Sequence, residues 1–403
     1  MTPLIFWQNT PSIHQAPLIR ELARIWRGEV MVVTEWGLSE ERLSQGWELP
    51  GFSPARLVVA PTAAERRELI RQYSAGDAVH IFSGLHAYPE TYQTLKHVSR
   101  TRATIGVYAE PGRSNDGFKA WGRQVRYRLH GLRWGRRLNF LLATGESGMR
   151  WYAAAGFAQD RLFPFGYFVK DAAADNRGDQ ADAAYPALPG SVRLTFVGQL
   201  VPWKGVDLLL HALARLRNYK WKLDVVGDGA QSGQYKALAE ELGLNERVSW
   251  LGVQPNQAVR EGMVASDALV LPSRYDGWGA VVNEALTVGT PAIVSDACGA
   301  GDLVRTPWLG EVFQSESIDS LQESLEKAIS GGKILESRRA RIRAWALEAI
   351  APDVAARYLV DVITHVRGNG DRPTAPWHAA TPRPQPDSTL RAGSARSRRG
   401  ESL

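Results

Sequence analysis

Cysteine is almost absent from this sequence, in which Cys298 is the only one among 403 residues. A single cysteine excludes an intramolecular disulfide, so nothing in the chain requires an oxidising compartment. Long hydrophobic runs are also absent, because no stretch approaches the ~18 apolar residues that a membrane span needs. The first residues contain neither a basic region nor a long apolar core. We therefore expect a cytoplasmic protein that is neither exported by a standard signal nor integral to a membrane.

The composition allows a large folded portion and one unfolded end. With 403 residues and 44% hydrophobic content, the chain can build two domains. Residues 367–403 carry seven arginines, three acids and five prolines, so this end is basic. It has too little apolar surface to offset chain entropy, and we predict a disordered basic tail. Its basic residues are sparse and do not belong to a folded nucleic-acid-binding domain, so no nucleic-acid partner is expected.

Short apolar runs alternate with helical patterns along the chain, which is typical of doubly wound parallel sheets. A first series of strands is predicted at 4–7, 30–33, 55–60, 78–82, 104–108 and 139–144. A second series is predicted at 192–197, 222–226, 248–251, 268–271, 292–295 and 310–313. The sequence therefore predicts two α/β domains that face each other across a cleft.

The breaks in this alternation predict the domain boundaries. An N-terminal Rossmann-like domain would span 1–170, and a second one 191–334. Residues 171–190 are rich in Ala, Asp and Gly and read as a linker or surface excursion. The helical patterns of 335–366 predict terminal helices that follow the second domain.

One stretch, residues 269–286, organises the second domain. An apolar run leads into Gly277-Trp278-Gly279, and a helical segment follows, which predicts a strand, a tight loop and a helix. Amides freed by the glycines and by the first helical turn form a donor-rich cup suited to phosphate. Asp276 and Glu284 flank this cup, and carboxylates of this kind suit sugar and ribose hydroxyls. The alternative is an acidic pair that only complements the helix dipole.

In this stretch the sequence resembles the retaining nucleotide-sugar glycosyltransferases of family 4, which have the GT-B fold. Their signature is Glu-x7-Glu, and here it reads Asp276-x7-Glu284, which shortens the first acid by one methylene. The resemblance implies that the second domain binds the nucleotide sugar and that the first meets the acceptor. It also implies that the terminal helices of 335–366 cross back to the first domain. It also implies no cofactor, since the nucleotide sugar is a substrate, and no metal. The sequence shows no Asp/His cluster with metal-ligand spacing either.

A second glycine-rich segment, 198–205, begins at Gly198 and contains Lys204. It resembles the family's Gly-Arg-Leu-x-x-x-Lys-Gly, in which two basic residues grip the donor diphosphate. Gln199 replaces the arginine, so Lys204 alone carries over, and Arg274 is a candidate for the missing charge. An ordinary turn with a surface lysine is the alternative. The remaining donor contacts implied by the resemblance are Gly277, Trp278, Gly279 and Val253, the last near the nucleotide base.

In the first domain, His86 and Glu110 each follow a predicted strand and would face the cleft. The resemblance implies that one residue in this region approaches the donor sugar or the acceptor hydroxyl. The sequence does not choose between the two, and either could be structural.

The segment Lys119 to Arg137 carries seven basic residues and no acid, with Trp121, Tyr127, Leu129, Leu132 and Trp134 interleaved. This pattern is typical of a segment that rests on an anionic membrane. The alternative is an ordinary amphipathic helix with a solvated basic face.

Together these features predict a GT-B glycosyltransferase that moves a sugar from a nucleotide diphosphate donor to a glycan or lipid-linked hydroxyl, with retention. Cell-surface polysaccharide or glycolipid synthesis, including lipopolysaccharide, is the expected setting. Two alternatives remain open at this point. One is a nucleotide-sugar epimerase or phosphorylase of the same fold, and the other is a non-catalytic nucleotide-sugar binder.

Overall fold

The computed structural model describes residues 2–38, 49–73, 77–112, 118–169 and 190–379, apart from the side chains of residues 118–120. These residues form two parallel β-sheets, each covered by helices.

The first sheet has seven parallel strands in the order β3-β2-β1-β4-β5-β6-β7. Its strands are β1 Leu4–Gln8, β2 Val30–Thr34, β3 Arg56–Val59, β4 Val79–Ser83, β5 Thr104–Ala109, β6 Phe140–Thr144 and β7 Leu162–Phe165. The central strands β1, β2, β5 and β6 are buried along their whole length. Helices cover both faces of such a sheet, which is why these strands read as continuous apolar runs and not as alternating ones.

The second sheet has six parallel strands in the order β10-β9-β8-β11-β12-β13. Its strands are β8 Val192–Val197, β9 Trp221–Val226, β10 Val248–Gly252, β11 Ala268–Leu271, β12 Ala292–Ser295 and β13 Gly310–Phe313. Strand order reverses beside β8, between β9 and β11, and open α/β sheets bind ligands at the carboxyl ends of strands beside such a reversal.

Thirteen α-helices lie in the described part of the chain. They are α1 Ala16–Ile25, α2 Ala63–Tyr73, α3 Pro89–Val98, α4 Phe118–Trp134, α5 Gly145–Ala154, α6 Val206–Ala214, α7 Ser232–Glu241, α8 Asn256–Ala265, α9 Ala280–Thr287, α10 Ile318–Ser330, α11 Glu336–Ala349, α12 Pro352–Val366 and α13 Pro376–Ala379. Short 3-10 helices occur at Gln159–Arg161, Pro202–Lys204 and Gly299–Leu303.

The predicted pair of doubly wound parallel sheets is confirmed, with every predicted strand in place. Strand β7 and helices α5 and α8 were not predicted. Strand β7 is an edge strand that contains Pro164, and proline is tolerated there because an edge strand has backbone N–H groups without a ladder partner. A proline in a four-residue run conceals this kind of strand from a search for apolar patterns.

The terminal helices connect the two domains. Helix α12 packs against α1 of the first domain, and the Tyr358 hydroxyl donates a 3.1 Å hydrogen bond to the backbone oxygen of Pro164. The predicted linker 171–190 lies outside the described residues except for Gly190.

The prediction that disorder begins at residue 367 is wrong for residues 367–379. The Arg372 guanidinium donates 2.7 Å to the backbone oxygen of Asp160, and Trp377 is only 2% exposed. One large aromatic ring and one arginine anchor this segment, although its average composition resembles that of a disordered chain. Residues 380–403 lie outside the described part.

None of the helices in the described part is long and apolar enough to span a bilayer.

Candidate functional site

The loop between β11 and α9 forms the floor of the candidate site. Gly279 has φ of 91°, a left-handed conformation that glycine adopts without strain, and it is the N-cap of α9 with no side-chain cap. A Cβ at Gly279 would lie 2.6 Å from Cys298 Sγ. The left-handed backbone and the close approach of Cys298 both require glycine at position 279. Because no side chain caps α9, its first amides are available to an anion.

Lys204 and Asp276 form an ion pair on this floor, with side chains 20% and 14% exposed. Lys204 ends the 3-10 helix Pro202–Lys204, and its Cε lies 3.9 Å from where a Cβ of Gly198 would be. Gly205 follows with φ of 68°, and a Cβ there would come within 2.1 Å of the Pro272 backbone oxygen. The two glycine-rich segments found in the sequence thus meet, and they bring one cation beside the α9 amides.

Glu110 reaches this floor from the first domain. It follows β5, and the Tyr167 hydroxyl donates a 2.6 Å hydrogen bond to its Oε1. A Cβ on Gly277 would lie 2.0 Å from Glu110 Oε2, so only glycine leaves room for the carboxylate. The surrounding protein raises the pKa of Glu110, the Tyr167 hydrogen bond opposes this rise, and the nearby charge of Asp276 adds to it. The side chain still opens onto a cavity of the first domain.

His86 lies deeper in the same cavity, stacked on His130 with ring centroids 4.4 Å apart. Burial lowers the pKa of His86, and Arg126 lowers it further. Of the two candidates that the sequence left open, Glu110 is therefore the one that lies against the second domain's loop. His86 lies among first-domain side chains instead.

Glu284 occupies a separate place, in a cavity of about 210 Å³ between α1 and helices α8 and α9. Arg260, His14 and Asn256 line the same cavity. Burial raises the pKa of Glu284 to about 7, and Arg260 opposes this shift. The acidic pair of the sequence is thus divided, with Asp276 beside Lys204 and Glu284 facing a second cavity. Val253, the predicted base contact, follows β10 and is 58% exposed.

Arg274 has a different role from the one suggested by the sequence. Its guanidinium donates 2.6 and 2.8 Å hydrogen bonds to the two carboxylate oxygens of Asp207. It also donates 3.1 Å to Glu316 and 2.7 Å to the backbone oxygen of Pro202. With these acceptors engaged, Arg274 holds the turn that carries Lys204 and does not stand in for the missing arginine at the donor.

The predicted donor contact through Trp278 is wrong for its side chain. The indole is 1% exposed and donates a 2.7 Å hydrogen bond to Asn283 Oδ1. Its ring packs against Gly166 of the first domain, where a Cβ would meet Cζ2 at 2.3 Å. The ring is part of the contact between domains, and the backbone oxygen of Trp278 accepts a 2.7 Å hydrogen bond from the Ala300 amide.

Three further contacts join the domains around the floor, and the sequence did not predict them. The Thr144 hydroxyl donates 2.9 Å to the Gly277 backbone oxygen, and the Tyr275 hydroxyl donates 2.6 Å to that of Pro111. A Cβ on Gly145 would lie 2.4 Å from the Gly299 backbone oxygen. Only Thr144 and Gly145 could have been identified from the sequence as candidates for such contacts. Thr144 is the last residue of a predicted strand, and Gly145 directly follows it.

The glycine-rich loop after β12 is held from the C-terminal side. Asp302 in the 3-10 helix Gly299–Leu303 accepts hydrogen bonds from Trp377 Nε1 at 3.0 Å and from His378 Nε2 at 2.9 Å. Cys298 in this loop is buried, its Sγ lies 2.8 Å from the Trp278 backbone oxygen, and burial raises its thiol pKa. It therefore has no thiolate character. Within the described ranges, no group of three or more His, Cys, Asp and Glu is placed to hold a metal ion.

Residues 182–345 match the family model for glycosyl transferases group 1. Among curated proteins, the lipopolysaccharide 1,6-galactosyltransferase of Salmonella typhimurium is 35% identical over 34% of this chain and 38% of its own length. The D-inositol 3-phosphate glycosyltransferase of Rhodococcus erythropolis is 29% identical over 50% of this chain and 48% of its own length. The chain thus matches less than half the length of these relatives.

Solved structures match over both domains. HepE of Anabaena in complex with UDP covers 91% of this chain with a TM-score of 0.69 at 16% identity, and all of that chain is matched. The lipopolysaccharide outer core galactosyltransferase WaaB covers 90% with a TM-score of 0.66 at 17% identity, with 99% of that chain matched. At these identities the likeness concerns the fold, and the predicted GT-B fold is confirmed.

Proposed function

We propose that this chain is a retaining glycosyltransferase that moves a sugar from a nucleotide diphosphate donor to a hydroxyl acceptor. The observation that carries the proposal is the floor of the cleft, where Lys204, Asp276 and the uncapped amides of α9 lie beneath Glu110 of the opposite domain. The group 1 match over residues 182–345 covers the elements that build this floor. Retention is supported by the resemblance of Asp276-x7-Glu284 to the family 4 signature.

The chemical requirement is to stabilise the departing diphosphate. As the bond between the sugar C1 and the phosphate oxygen breaks, the electron pair stays on that oxygen and negative charge grows there. Lys204 and the first amides of α9 are fixed at this position before the reaction starts, which is the arrangement that lowers such a barrier most. Glu110 and Asp276 face the sugar from the two domains, and Glu284 is assigned to donor hydroxyls through its own cavity. The scheme requires no metal or other cofactor.

The experiment is a turnover assay with a panel of nucleotide sugars and a lipid-extract acceptor. Lys204→Ala should lower kcat by about a hundredfold or more and change KM less, because the interaction strengthens in the transition state. The matched control is Lys327→Ala, which removes a lysine that is 65% exposed on α10. If KM alone changes, Lys204 is a uniform binding contact and the scheme fails.

Incubation with donor alone separates the alternatives. An epimerase would convert the nucleotide sugar without an acceptor, and a phosphorylase would require both inorganic phosphate and a glycan whose glycosidic bond the phosphate cleaves. A non-catalytic binder would bind the donor and turn over nothing. Transfer that depends on an added hydroxyl acceptor is the result expected here.

We assign the acceptor to the glycans or lipid-linked glycans of cell-surface polysaccharide or lipopolysaccharide synthesis. Support comes from relatives named as lipopolysaccharide galactosyltransferases, one of them among the solved structures of the same fold. Such acceptors are embedded in or attached to a bilayer, so the enzyme would work in the cytoplasm at the inner face of the membrane. Helix α4 supplies a surface for that contact.

The outer face of α4 carries an apolar stripe formed by Trp121, Val125, Leu129 and Leu132. These side chains are 61%, 39%, 60% and 83% exposed. At about 100° per residue they fall within an arc of about 80°. Trp134 is fully buried and lies on the opposite side of the helix with Tyr127, so the stripe points away from the domain. Trp134 therefore cannot serve as the membrane anchor that the sequence suggested.

Positive charge surrounds this stripe. Arg126, Arg128, Arg133, Arg136 and Arg137 are all exposed, and the segment has no acid. Each basic residue near an anionic surface contributes about 1 kcal/mol, and apolar side chains at the headgroup boundary add burial. This combination of apolar side chains and arginines fits an anionic lipid surface better than a second protein. Anionic headgroups neutralise arginines all around the stripe, whereas a protein partner would need an acidic residue opposite each one.

Vesicle co-sedimentation tests this contact with phosphatidylglycerol-containing and neutral vesicles at low and high salt. The stripe variant Trp121→Gln/Leu129→Gln/Leu132→Gln should bind anionic vesicles at least tenfold less, as should a variant with Arg126, Arg133, Arg136 and Arg137 changed to Gln. The control Leu335→Gln/Leu347→Gln removes apolar side chains that are 71% and 50% exposed near α11. Wild-type binding should fall with salt because charges are screened over about 8 Å. Equal binding by the stripe variant and the control would reject this surface.

A further inference from the structure

The residues that line the cavity of the first domain determine whether a charged or a neutral ligand can bind there. It has a volume of about 430 Å³ and opens at the carboxyl ends of β1, β4 and β5, beside Glu110. Small neutral polar side chains contribute much of its wall, namely Gln8, Asn9, Thr10, Ser12 and Ser83. Amides and hydroxyls of this type both donate and accept hydrogen bonds, which matches the hydroxyls of a sugar.

Two histidines line the cavity, namely His86 and His14, and the His14 ring lies against Tyr167 with centroids 5.7 Å apart. Burial and the nearby Arg126 lower the pKa of His86. Its stacking partner His130 has a pKa of about 4, lowered by burial first and then by His86. Both groups have pKa values moved away from the range where they would carry charge at pH 7, so His86 presents a neutral ring to the cavity.

Apart from the histidines and tyrosines, the described lining contains one ionisable side chain. Glu110 is the only carboxylate there, and no lysine or arginine is part of the wall that residues 2–38, 77–112, 118–169 and 190–379 provide. An anionic ligand would thus be desolvated beside a carboxylate, with no lysine or arginine from these residues to pair it.

Two polar atoms of the wall need a donor from the ligand. Gln8 is 2% exposed, its Nε2 donates to Gln15, and its Oε1 is buried with no partner among the described residues. Glu110 retains one carboxylate oxygen beyond the one that accepts from Tyr167. Sugar hydroxyls can donate to both positions, whereas an ionised phosphate or carboxylate offers acceptors only.

Aromatic rings form the rest of the wall. The first domain contributes five tyrosines, Tyr88, Tyr108, Tyr127, Tyr152 and Tyr167, and Tyr275 joins them from the second. Burial raises the pKa of Tyr108, Tyr127, Tyr152 and Tyr167, so these hydroxyls stay protonated and neutral. Their faces suit the apolar C–H side of a sugar ring.

We propose that this cavity receives an uncharged sugar ring as the acceptor and rejects sugars with a phosphate or carboxylate on the ring that enters. The proposal rests on the glycosyl transfer proposed above and names the chemical class of its acceptor. A lipid-linked acceptor remains compatible with it when the charged linkage lies away from the terminal ring.

The experiment compares matched acceptor pairs with the full chain and its best donor. Glucose, galactose, mannose and myo-inositol are each paired with their 6-phosphates or, for inositol, its 3-phosphate. The neutral member of a pair should have a kcat/KM at least about a hundredfold above that of the phosphorylated member, since an unpaired buried charge is costly. Asn9→Lys places a cation in the wall of the cavity, so it should lower the ratio of neutral to phosphorylated kcat/KM by tenfold or more. The control Asn245→Lys adds the same charge at an exposed site and should leave that ratio unchanged.

Donor binding and acceptor-independent donor hydrolysis are measured in the same preparations. A chain that neither binds nor hydrolyses any nucleotide sugar contradicts the proposed function. A chain that binds donor but uses the phosphorylated member as well as the neutral one overturns the acceptor proposal alone. Failure of every neutral sugar in a donor-binding chain also counts against it.

Discussion

Tyr275 of the second domain donates a 2.6 Å hydrogen bond to the backbone oxygen of Pro111 in the first. It stands one residue before Asp276 on the floor of the cleft, and Pro111 directly follows Glu110. The bond therefore ties together the two segments that bring Glu110 and Asp276 face to face. Thr144 makes a second such connection to Gly277.

Tyr275→Phe should weaken this closed arrangement without disturbing either sheet. A typical hydrogen bond contributes about 0.5 to 1.5 kcal/mol net, so the loss of this one should lower kcat about two- to tenfold. Nucleotide affinity should change little, because the second domain keeps its own contacts. Steady-state kinetics, with binding of the donor nucleotide sugar as the second readout, test this. Tyr219→Phe, which removes a 2.6 Å hydrogen bond to Glu326 within one domain, should leave kcat unchanged.

Glu284→Gln should weaken nucleotide-sugar binding while the fold survives. The change keeps the size of the side chain and removes its charge, and each charge-assisted hydrogen bond contributes about 1.5 to 3 kcal/mol, which predicts at least a tenfold loss. Donor affinity of the wild type should rise as pH increases through about 7, where this carboxyl ionises. The variant should lack that dependence, and calorimetric titration from pH 6 to 8 measures both effects. The exposed Glu241→Gln on α7 is the control, and equal affinity in the two variants would remove Glu284 from the donor site.

The same carboxyl should also affect stability, with a definite sign. Its pKa is raised from 4.5 to about 7 in the folded chain, so between these values the folded state holds a proton that the unfolded state loses. The stability contribution is therefore full below about pH 4.5 and declines as pH rises to about 7, by at most about 3 kcal/mol. Relative to wild type, Glu284→Gln should be progressively more stable as pH rises across this window. Chemical denaturation at several pH values measures the difference, and a constant difference would contradict the assignment.

The parallel sheets could be predicted because their information is local. A strand such as β11 is an uninterrupted apolar run, and the eight residues that follow it contain the glycines that predict its loop. Lys204 and Asp276 belong to two such loops, and parallel strand topology alone predicts that both loops open at the same edge of the sheet.

Contacts between distant segments could not be predicted in this way. From the sequence, Trp278 is expected to be an exposed loop residue. In the structure its ring is buried against Gly166 of the other domain, where a side chain would leave no room for it. Arg274 looks like a phosphate ligand until Asp207 and Glu316 are placed around it. Each outcome depends on a partner far away in the chain, and composition or periodicity does not report on such pairs.

Trp377→Ala should destabilise the chain although residue 377 lies in a segment with the composition of a disordered tail. The ring is 2% exposed and packs on Phe168 and Tyr358, and its Nε1 bonds to the buried Asp302. Truncation of a buried aromatic ring costs about 3 to 5 kcal/mol, and here it also removes one donor from a buried carboxylate. Thermal and denaturant unfolding measure the loss. Trp121→Ala, at a site that is 61% exposed, should have little effect, and comparable losses in both variants would refute the anchoring role.

Gly166→Ala should hold the domains apart. The added methyl would lie 2.3 Å from Cζ2 of Trp278, whose ring is buried between the domains. Overpacking of this kind costs about 1 to 3 kcal/mol, which predicts a kcat lowered about tenfold or more with the affinity for the donor nucleotide sugar retained. Gly122→Ala is the matched control, because nothing lies within 4 Å of a Cβ at that position. Kinetics together with the radius of gyration from small-angle scattering measure the effect. A smaller ring in the double variant Gly166→Ala/Trp278→Phe should recover part of kcat, and a Gly166→Ala variant as active as Gly122→Ala would show that turnover does not depend on this contact.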